Sequence, residues 1–188
     1  MKWNIYDFDK TIYKRDSSLD FYLFCLKRQP KILAEIPVLF IWSALFLFRF
    51  CSKTEFKEKF YRFLRHLDSV DDMVTEFWKL NRDKIAGFYL EGNKENDAVI
   101  SASPEFLLQP ICAELKIAKL IASRVDKHTG LYQGENCWGE EKLRRFRAEM
   151  EDASIETFYS DSLSDAPLAR IAENAYLVRK KDIIPWPD

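Results

Sequence analysis

The stretch Ile5-Tyr6-Asp7-Phe8-Asp9-Lys10-Thr11 decides how the rest of this chain is read. With Met1 and Trp3, its Ile5, Tyr6 and Phe8 supply β-prone bulk, so the run predicts a buried strand. Carboxylates are unwelcome inside such a strand, which places Asp7 and Asp9 where it ends. In open α/β sheets the carboxyl ends of the strands face the ligand crevice. Two like charges this close repel, and one pKa rises unless a cation sits between them. The stretch therefore asks for a metal ion, and for partners elsewhere in the sequence.

Composition narrows what those partners serve. The 188 residues suffice for one core plus a large insertion, and 47% apolar with 31% charged residues describes an ordinary globular chain. Five glycines argue against a glycine-rich nucleotide loop or a turn-dense all-β fold. A net charge of -1 leaves no basic excess to neutralise phosphates, so no nucleic-acid partner is expected. Cys25, Cys51, Cys112 and Cys137 form no CxxC pair and read as reduced thiols, and no signal-like layout precedes the first strand. Both features predict a cytoplasmic protein.

Working outward from Thr11, the pattern turns helical. Asp16-Ser17-Ser18-Leu19-Asp20 is a helix start, and the helix should stop at Gln29-Pro30. The apolar tract Ile36 to Phe48 follows, too short for a span of about 20 apolar residues, and is predicted as a buried helix. Contact with a membrane surface is the lesser alternative for this tract. Ser52-Lys53-Thr54-Glu55 and Ser69 open two more helices, the first with an apolar stripe of Phe56, Phe60, Phe63 and Leu64. Residues 15–81 thus read as an all-helical cap set into a core of residues 1–14 and 82–188.

Strands then alternate with helices. Asp97 to Ser101 is a strand, and Ser103-Pro104-Glu105 has the order of a helix cap, first-turn proline and acid. Lys119 to Ser123 is a strand, Val125 to Trp138 an extended loop or hairpin, and Gly139 to Met150 a helix. Ile155 to Tyr159 and Asn174 to Val178 complete the strands, and the tail around Ile184-Pro185-Trp186-Pro187 has no clear assignment. The alternation predicts an α/β fold, a Rossmann-like parallel sheet wrapped by helices.

One sheet edge then collects Asp7, Asp9, Ser101, Asp161 and Asp165, with Lys142 at a helix start. Taken singly, each has a bland reading as a turn acid, a cap or a solvated face charge. Together they permit one chemistry. Three carboxylates suit Mg²⁺, which takes few protein ligands plus substrate phosphate. A carboxylate attacks phosphorus once the phosphoryl group is neutralised and held in line. A second carboxyl two residues on can protonate the leaving oxygen and then activate water.

Asp7-Phe8-Asp9-Lys10-Thr11, Ser101, Lys142 and Ser160-Asp161-Ser162-Leu163-Ser164-Asp165 resemble the four motifs of the haloacid dehalogenase (HAD) superfamily, and the helical insertion is similar to the cap of its phosphoserine-phosphatase-like branch. The resemblance implies a Mg²⁺-dependent phosphatase of small phosphate esters that works through an aspartyl-phosphate. In that scheme Asp7 is nucleophile and metal ligand, and Asp9 is general acid/base and binds metal through its carbonyl. Thr11, Ser101 and Ala102 contact the phosphoryl group, Lys142 neutralises it, Asp161 ligates metal, and Asp165 orients the ligands or Lys142. Lys10 stands where glycine is usual, Ala102-Ser103 replaces a glycine pair, and Asp16 takes the place of a cap glutamate that meets the phosphoserine amine.

A second resemblance, to a HAD phosphatase of phosphatidylglycerophosphate, is carried by Lys27-Arg28-Gln29-Pro30, Ala102-Ser103-Pro104, Ile121-Ala122-Ser123, Glu141-Lys142 and Tyr159-Ser160-Asp161-Ser162. It implies a cap that meets an apolar leaving group. A helical membrane- or partner-binding module with an idle site is the non-enzyme alternative, and exposed aromatics on the cap would serve a homodimer.

Overall fold

Strand β1 (Lys2–Tyr6) lies inside a six-stranded sheet with β2 (Asp97–Pro104), β3 (Lys119–Ser123), β4 (Ser154–Ser160), β5 (Ala172–Arg179) and β6 (Asp182–Pro185). The strand order is β3-β2-β1-β4-β5-β6. The first five run parallel, and β6 returns antiparallel to β5. The computed structural model describes residues 1–92, 95–179 and 182–187. Of the tail without a clear assignment in the sequence, Ile184 and Pro185 thus belong to the edge strand β6. All four of its residues are exposed, so no burial periodicity marked it.

Alternation along the strands sends side chains to two cores. Ile5, Ala98, Ile100, Ile121 and Phe158 meet α7 (Glu140–Glu149) and α8 (Ala166–Ala169) on one face through Phe146 and Leu168. Tyr6, Val99 and Ala122 meet α6 (Glu105–Glu114) on the other, in a larger cluster that runs on into the helices between β1 and β2.

Those helices are α1 (Ser17–Arg28), α2 (Ile36–Leu47), α3 (Lys53–Tyr61), α4 (Val70–Asn81) and the short α5 (Gly87–Glu91). Each predicted start is present. Asp16 caps α1 by accepting from the Leu19 amide, a capping box of Ser52 and Glu55 opens α3, and Ser69 caps α4. Helix α4 buries Val70, Met73, Val74, Phe77 and Trp78 on one stripe, and Trp78 Nε1 donates to the Leu107 carbonyl at 2.6 Å, tying it to α6. The loop after β3 reaches α3 at Gly130, whose left-handed backbone (φ 77°) brings it so near Tyr61 that a Cβ would sit 2.5 Å from the Tyr61 carbonyl oxygen.

Helix α2 differs from its prediction. It is helical, but none of its residues is buried. Phe40 is 75% exposed and Leu47 77%, and Phe48 and Phe50 just beyond are 69% and 78% exposed. Its apolar residues run around the whole helix, and a helix of that kind needs cover on every side. Cover comes from α3, where Phe46 stacks on Phe56 at 5.0 Å and Lys59 lies over Trp42 at 4.7 Å. The preceding turn is tied down by Glu35, paired with Arg62 at 3.0 Å. Counted with that turn, Pro30–Leu47 is 18 residues of mean hydropathy 1.7, long and apolar enough to cross a membrane, and 6% of it is buried.

Candidate active site

The carboxyl ends of β2, β1 and β4 are adjacent, and the polar residues of the sequence reading gather there. The Asp7 amide still donates to the Tyr159 carbonyl at 2.8 Å, so Asp7 sits one residue past the end of β1 in strand geometry. The chain then turns sharply, with the Tyr13 amide bonded back to the Phe8 carbonyl at 2.8 Å. Lys10 takes a left-handed backbone (φ 56°) in this turn. That conformation favours glycine, so the residue usual at this point of the HAD motif is the one the geometry prefers.

Lys142, in the first turn of α7, enters the sheet edge between two acids. Its Nζ donates to Asp7 Oδ1 and to Asp165 Oδ2, both at 2.7 Å, and the side chain is 2% exposed. Ser160 donates to the same Asp165 oxygen at 2.7 Å. Burial works against the Lys142 charge, but Asp7 and Asp165 outweigh it and hold the ammonium above the ordinary lysine range. Asp7 is pushed up to about 7, first by burial and then by its acidic neighbours, against the pull of Lys142.

Asp9 is held from two elements. Its Oδ1 accepts the Ser17 amide at the start of α1 at 2.8 Å, and its Oδ2 accepts the Ser103 hydroxyl at 2.6 Å. Burial and then Asp16 push it up to about 6, while these two donors oppose the shift.

Asp7, Asp9, Asp16, Ser101, Ala102, Lys142, Asp161 and Asp165 all line one cavity of about 450 Å³. Thr11 does not line it. Thr11 is buried, its hydroxyl has no hydrogen-bond partner among the described residues, and it belongs to an adjoining groove reached also by Lys10 and Asp161. Asp16 is committed in part to the helix, since its Oδ1 caps α1. Ser101 Oγ accepts from the Ser103 amide at 3.2 Å.

Several cavity residues escaped the sequence reading. Ser103 was expected as a helix cap, but Pro104 is the residue before α6 and no side chain caps it. A register shift in β2 between Ser101 and Pro104 turns this segment, and the Ser103 hydroxyl bonds Asp9 instead. Lys53 and Lys57, four apart on α3, also line the cavity. Lys57 donates to the Ala102 carbonyl at 2.7 Å and to Asn136 at 3.1 Å, and burial, with help from Lys53, lowers it to about 8. Lys53 lies over the Trp138 ring at 3.8 Å. Their i, i+4 spacing beside the Phe56–Phe60 stripe was the available signal.

The donor set suits a hard divalent cation. Among the described residues no three His, Cys, Asp or Glu side chains are grouped closely enough to hold a metal alone. Mg²⁺ does not require such a cage, because it keeps several waters and takes one or two carboxylates. The cluster also carries an unmet demand for positive charge. Burial raises Asp7, Asp9 and Asp161 together, and the buried Asp165 Oδ1 has no hydrogen-bond partner among the described residues.

The family model for haloacid dehalogenase-like hydrolases matches residues 5–170. No curated protein matches the chain. Among solved structures it is similar to a protein of unknown function from Bordetella pertussis Tohama I, at 20% identity and TM-score 0.72, covering 93% of this chain and 88% of that one. It is also similar to a phosphoserine phosphohydrolase-like protein from Francisella tularensis, at 19% identity and TM-score 0.55, covering 93% and 86%. A probable phosphoserine phosphatase from Vibrio cholerae matches at 12% identity and TM-score 0.63, covering 93% of this chain and 55% of that one. At these identities the likeness is one of fold.

Proposed function

The chain belongs to the haloacid dehalogenase-like hydrolases, and on that premise we propose that it is a Mg²⁺-dependent phosphomonoester phosphatase acting through an aspartyl-phosphate. The observation that carries the reading is the buried Lys142 ammonium, 2.7 Å from Asp7, with Asp9 on the same cavity wall. Asp7, Asp161 and the Asp9 carbonyl would hold the metal, which when bound neutralises the phosphoryl oxygens and keeps Asp7 ionised. The Lys142 bond uses Asp7 Oδ1, which leaves Oδ2 to attack phosphorus. As the ester P–O bond breaks, Asp9 gives its proton to the leaving oxygen. The Asp9 carboxylate then takes a proton from water, which attacks the same phosphorus, frees phosphate and restores Asp7. Ser101, the backbone at Ala102 and Lys142 bind the phosphoryl group, Asp165 holds Lys142 in place, and Thr11, outside this cavity, drops from the set. Residues 15–81 act as the cap over a core of 1–14 and 82–188, with Lys53 and Lys57 adding positive charge opposite the catalytic acids.

The test is phosphate release from 4-nitrophenyl phosphate with and without Mg²⁺, together with trapping of a hydroxylamine-labile phosphoprotein. Turnover that survives in Asp7→Asn would remove Asp7 from the role of nucleophile.

A second reading refines the substrate, and the bare surface of α2 favours it. An apolar helix beside α3, whose Phe56 and Phe60 line the cavity, suits a lipid phosphate of the phosphatidylglycerophosphate type held at a bilayer. Phosphoserine suits the site less, because Asp16 reaches less far than a cap glutamate and one of its oxygens already caps α1. Flotation with anionic vesicles checks this refinement. A chain that stays with the soluble fraction and hydrolyses no lipid phosphate would leave the phosphatase reading standing without it, and a dimer on sizing would assign the α2 surface to a second copy.

A further inference from the structure

Behind Asp9 runs an unbroken chain of hydroxyls. Tyr61 OH donates to Ser18 Oγ at 2.8 Å, Ser18 Oγ lies 2.9 Å from Ser103 Oγ, and Ser103 Oγ donates to Asp9 Oδ2 at 2.6 Å. Ser17 Oγ also donates to Ser103 Oγ, at 3.2 Å. Ser17, Ser18, Tyr61 and Ser103 are all buried. A carboxylate accepts only, and a hydroxyl carries one proton. Since the Ser103 proton is committed to Asp9, Ser18 must donate to Ser103, and Tyr61 to Ser18. Every proton in the row points toward Asp9. The row also spans the molecule, with Ser103 from β2, Ser18 from α1 and Tyr61 from the end of α3.

We infer that Ser103, backed by Ser18 and Tyr61, is a positioning residue that fixes the Asp9 carboxyl for proton transfer to the leaving group. The inference rests on the phosphatase reading and adds to it residues that act through Asp9. With Ser103 on one oxygen and the Ser17 amide on the other, the carboxyl plane is set by the helical segment and the sheet edge together. As Asp9 releases its proton, the charge it acquires lands on oxygens already facing donors, so little reorganisation accompanies the step. Without the Ser103 hydroxyl, the row behind it stops short of the acid.

The experiment compares kcat/KM for two esters, because that ratio covers only the steps through transfer to Asp7. 4-Nitrophenyl phosphate has a leaving group that departs without protonation, whereas phenyl phosphate needs the proton. Ser103→Ala should lose roughly 10- to 100-fold on phenyl phosphate, part of the ~10²–10⁴ that a positioned proton donor contributes, and far less on the nitrophenyl ester. Tyr61→Phe should show a smaller loss with the same selectivity, and Ser103→Thr, which keeps the hydroxyl, should restore the phenyl phosphate rate. Equal losses on both esters in Ser103→Ala would overturn the inference and leave the phosphatase reading intact. A wild-type chain that frees phosphate from neither ester with Mg²⁺ would overturn both.

Discussion

The cavity at the sheet edge and the helix α2 invert the ordinary rule of burial in opposite directions. At the sheet edge, Asp7, Lys142 and Asp165 are ionisable and buried; on α2, Phe40 and Leu47 are apolar and bare. Lys, Glu and Asp are almost never fully buried unless paired, and contiguous apolar surface is informative where isolated apolar residues are not. Each inversion therefore needs its own account. The buried charges have one in the structure, because Lys142 bridges two acids at 2.7 Å. The bare helix has no covering partner among the described residues beyond α3 and the turns beside it. Charges compensated from within mark a site where chemistry is prepared, and apolar surface left open marks a site prepared for contact.

The strongest way to break the first half of that contrast is to remove its members. Asp7→Asn should lower turnover by roughly 10⁴-fold or more, the scale seen when a covalent nucleophile is deleted, while the fold survives because the amide keeps the shape. Lys142→Met should abolish turnover too, and it should also destabilise the chain by about 3–5 kcal/mol, since two buried carboxylates lose their cation. Urea unfolding followed by tryptophan emission separates the two outcomes. A Lys142→Met chain as stable as wild type would mean that the acids are neutral before the lysine is removed.

The second half is broken by comparing phenylalanines on either side of the burial divide. Phe63→Ala, in the fully buried cluster with Phe21 and Tyr22, should cost about 3–5 kcal/mol. Phe40→Gln on α2 should change stability by no more than about 0.5 kcal/mol, the usual range for surface positions. Should Phe40→Gln cost as much as Phe63→Ala, α2 is covered in solution by something that melts away with the fold.

The difference between the regions also explains what the sequence could disclose. The sheet and its edge were legible because strand-period bulk and helix caps act locally. Asp16, Ser52 and Ser69 each bond an amide three residues on, so their roles are written within one turn. Asp7, Asp161 and Lys142 were found because strand topology brings their segments to one edge. Ser103 was misread because two local rules gave the same sequence: Ser-Pro-Glu is a good helix start, and only the register shift in β2, a tertiary feature, sends its hydroxyl to Asp9. Helix α2 was misread for a related reason. Hydrophobicity states a need for cover, but not whether the fold supplies it.

The charge balance at the edge is next sharpened by metal and pH. Asp7 and Asp9, raised to about 7 and about 6, carry protons in the folded state that they would lose when unfolded. Their contribution to stability is therefore full below the unfolded value near 3.8 and is lost as pH rises through 6 and 7. On the proposed reading Mg²⁺ binds the deprotonated Asp7 carboxylate, so it competes with that proton at pH 5 and not at pH 8. Melting curves should show a clear Mg²⁺-dependent rise at pH 8, of the order of the ~2.7 kcal/mol that a ligand gives at a hundred times its Kd, and a much smaller rise at pH 5. An equal rise at both pH values would place the metal away from the Asp7 carboxylate.

The smallest expected effect concerns the turn that joins Asp7 and Asp9 to the first helix. Lys10 holds a φ of 56° there, and a residue with a Cβ is strained in that region by about 1–2 kcal/mol relative to glycine. Lys10→Gly releases this strain but also frees the unfolded chain, a loss of roughly 0.5–1 kcal/mol, so the net gain should be no more than about 1.5 kcal/mol in urea unfolding. The change in turnover points to what the strained residue does. The Lys10 charge acts on Asp161 and opposes the rise that burial imposes on that acid. If the charge is the reason lysine is kept, Lys10→Gly should gain stability and at the same time alter the Mg²⁺ concentration needed for half-maximal activity. Stability gained with an unchanged Mg²⁺ requirement would reduce Lys10 to a residue the turn tolerates. The sheet edge would then compensate its buried acids without help from Lys10.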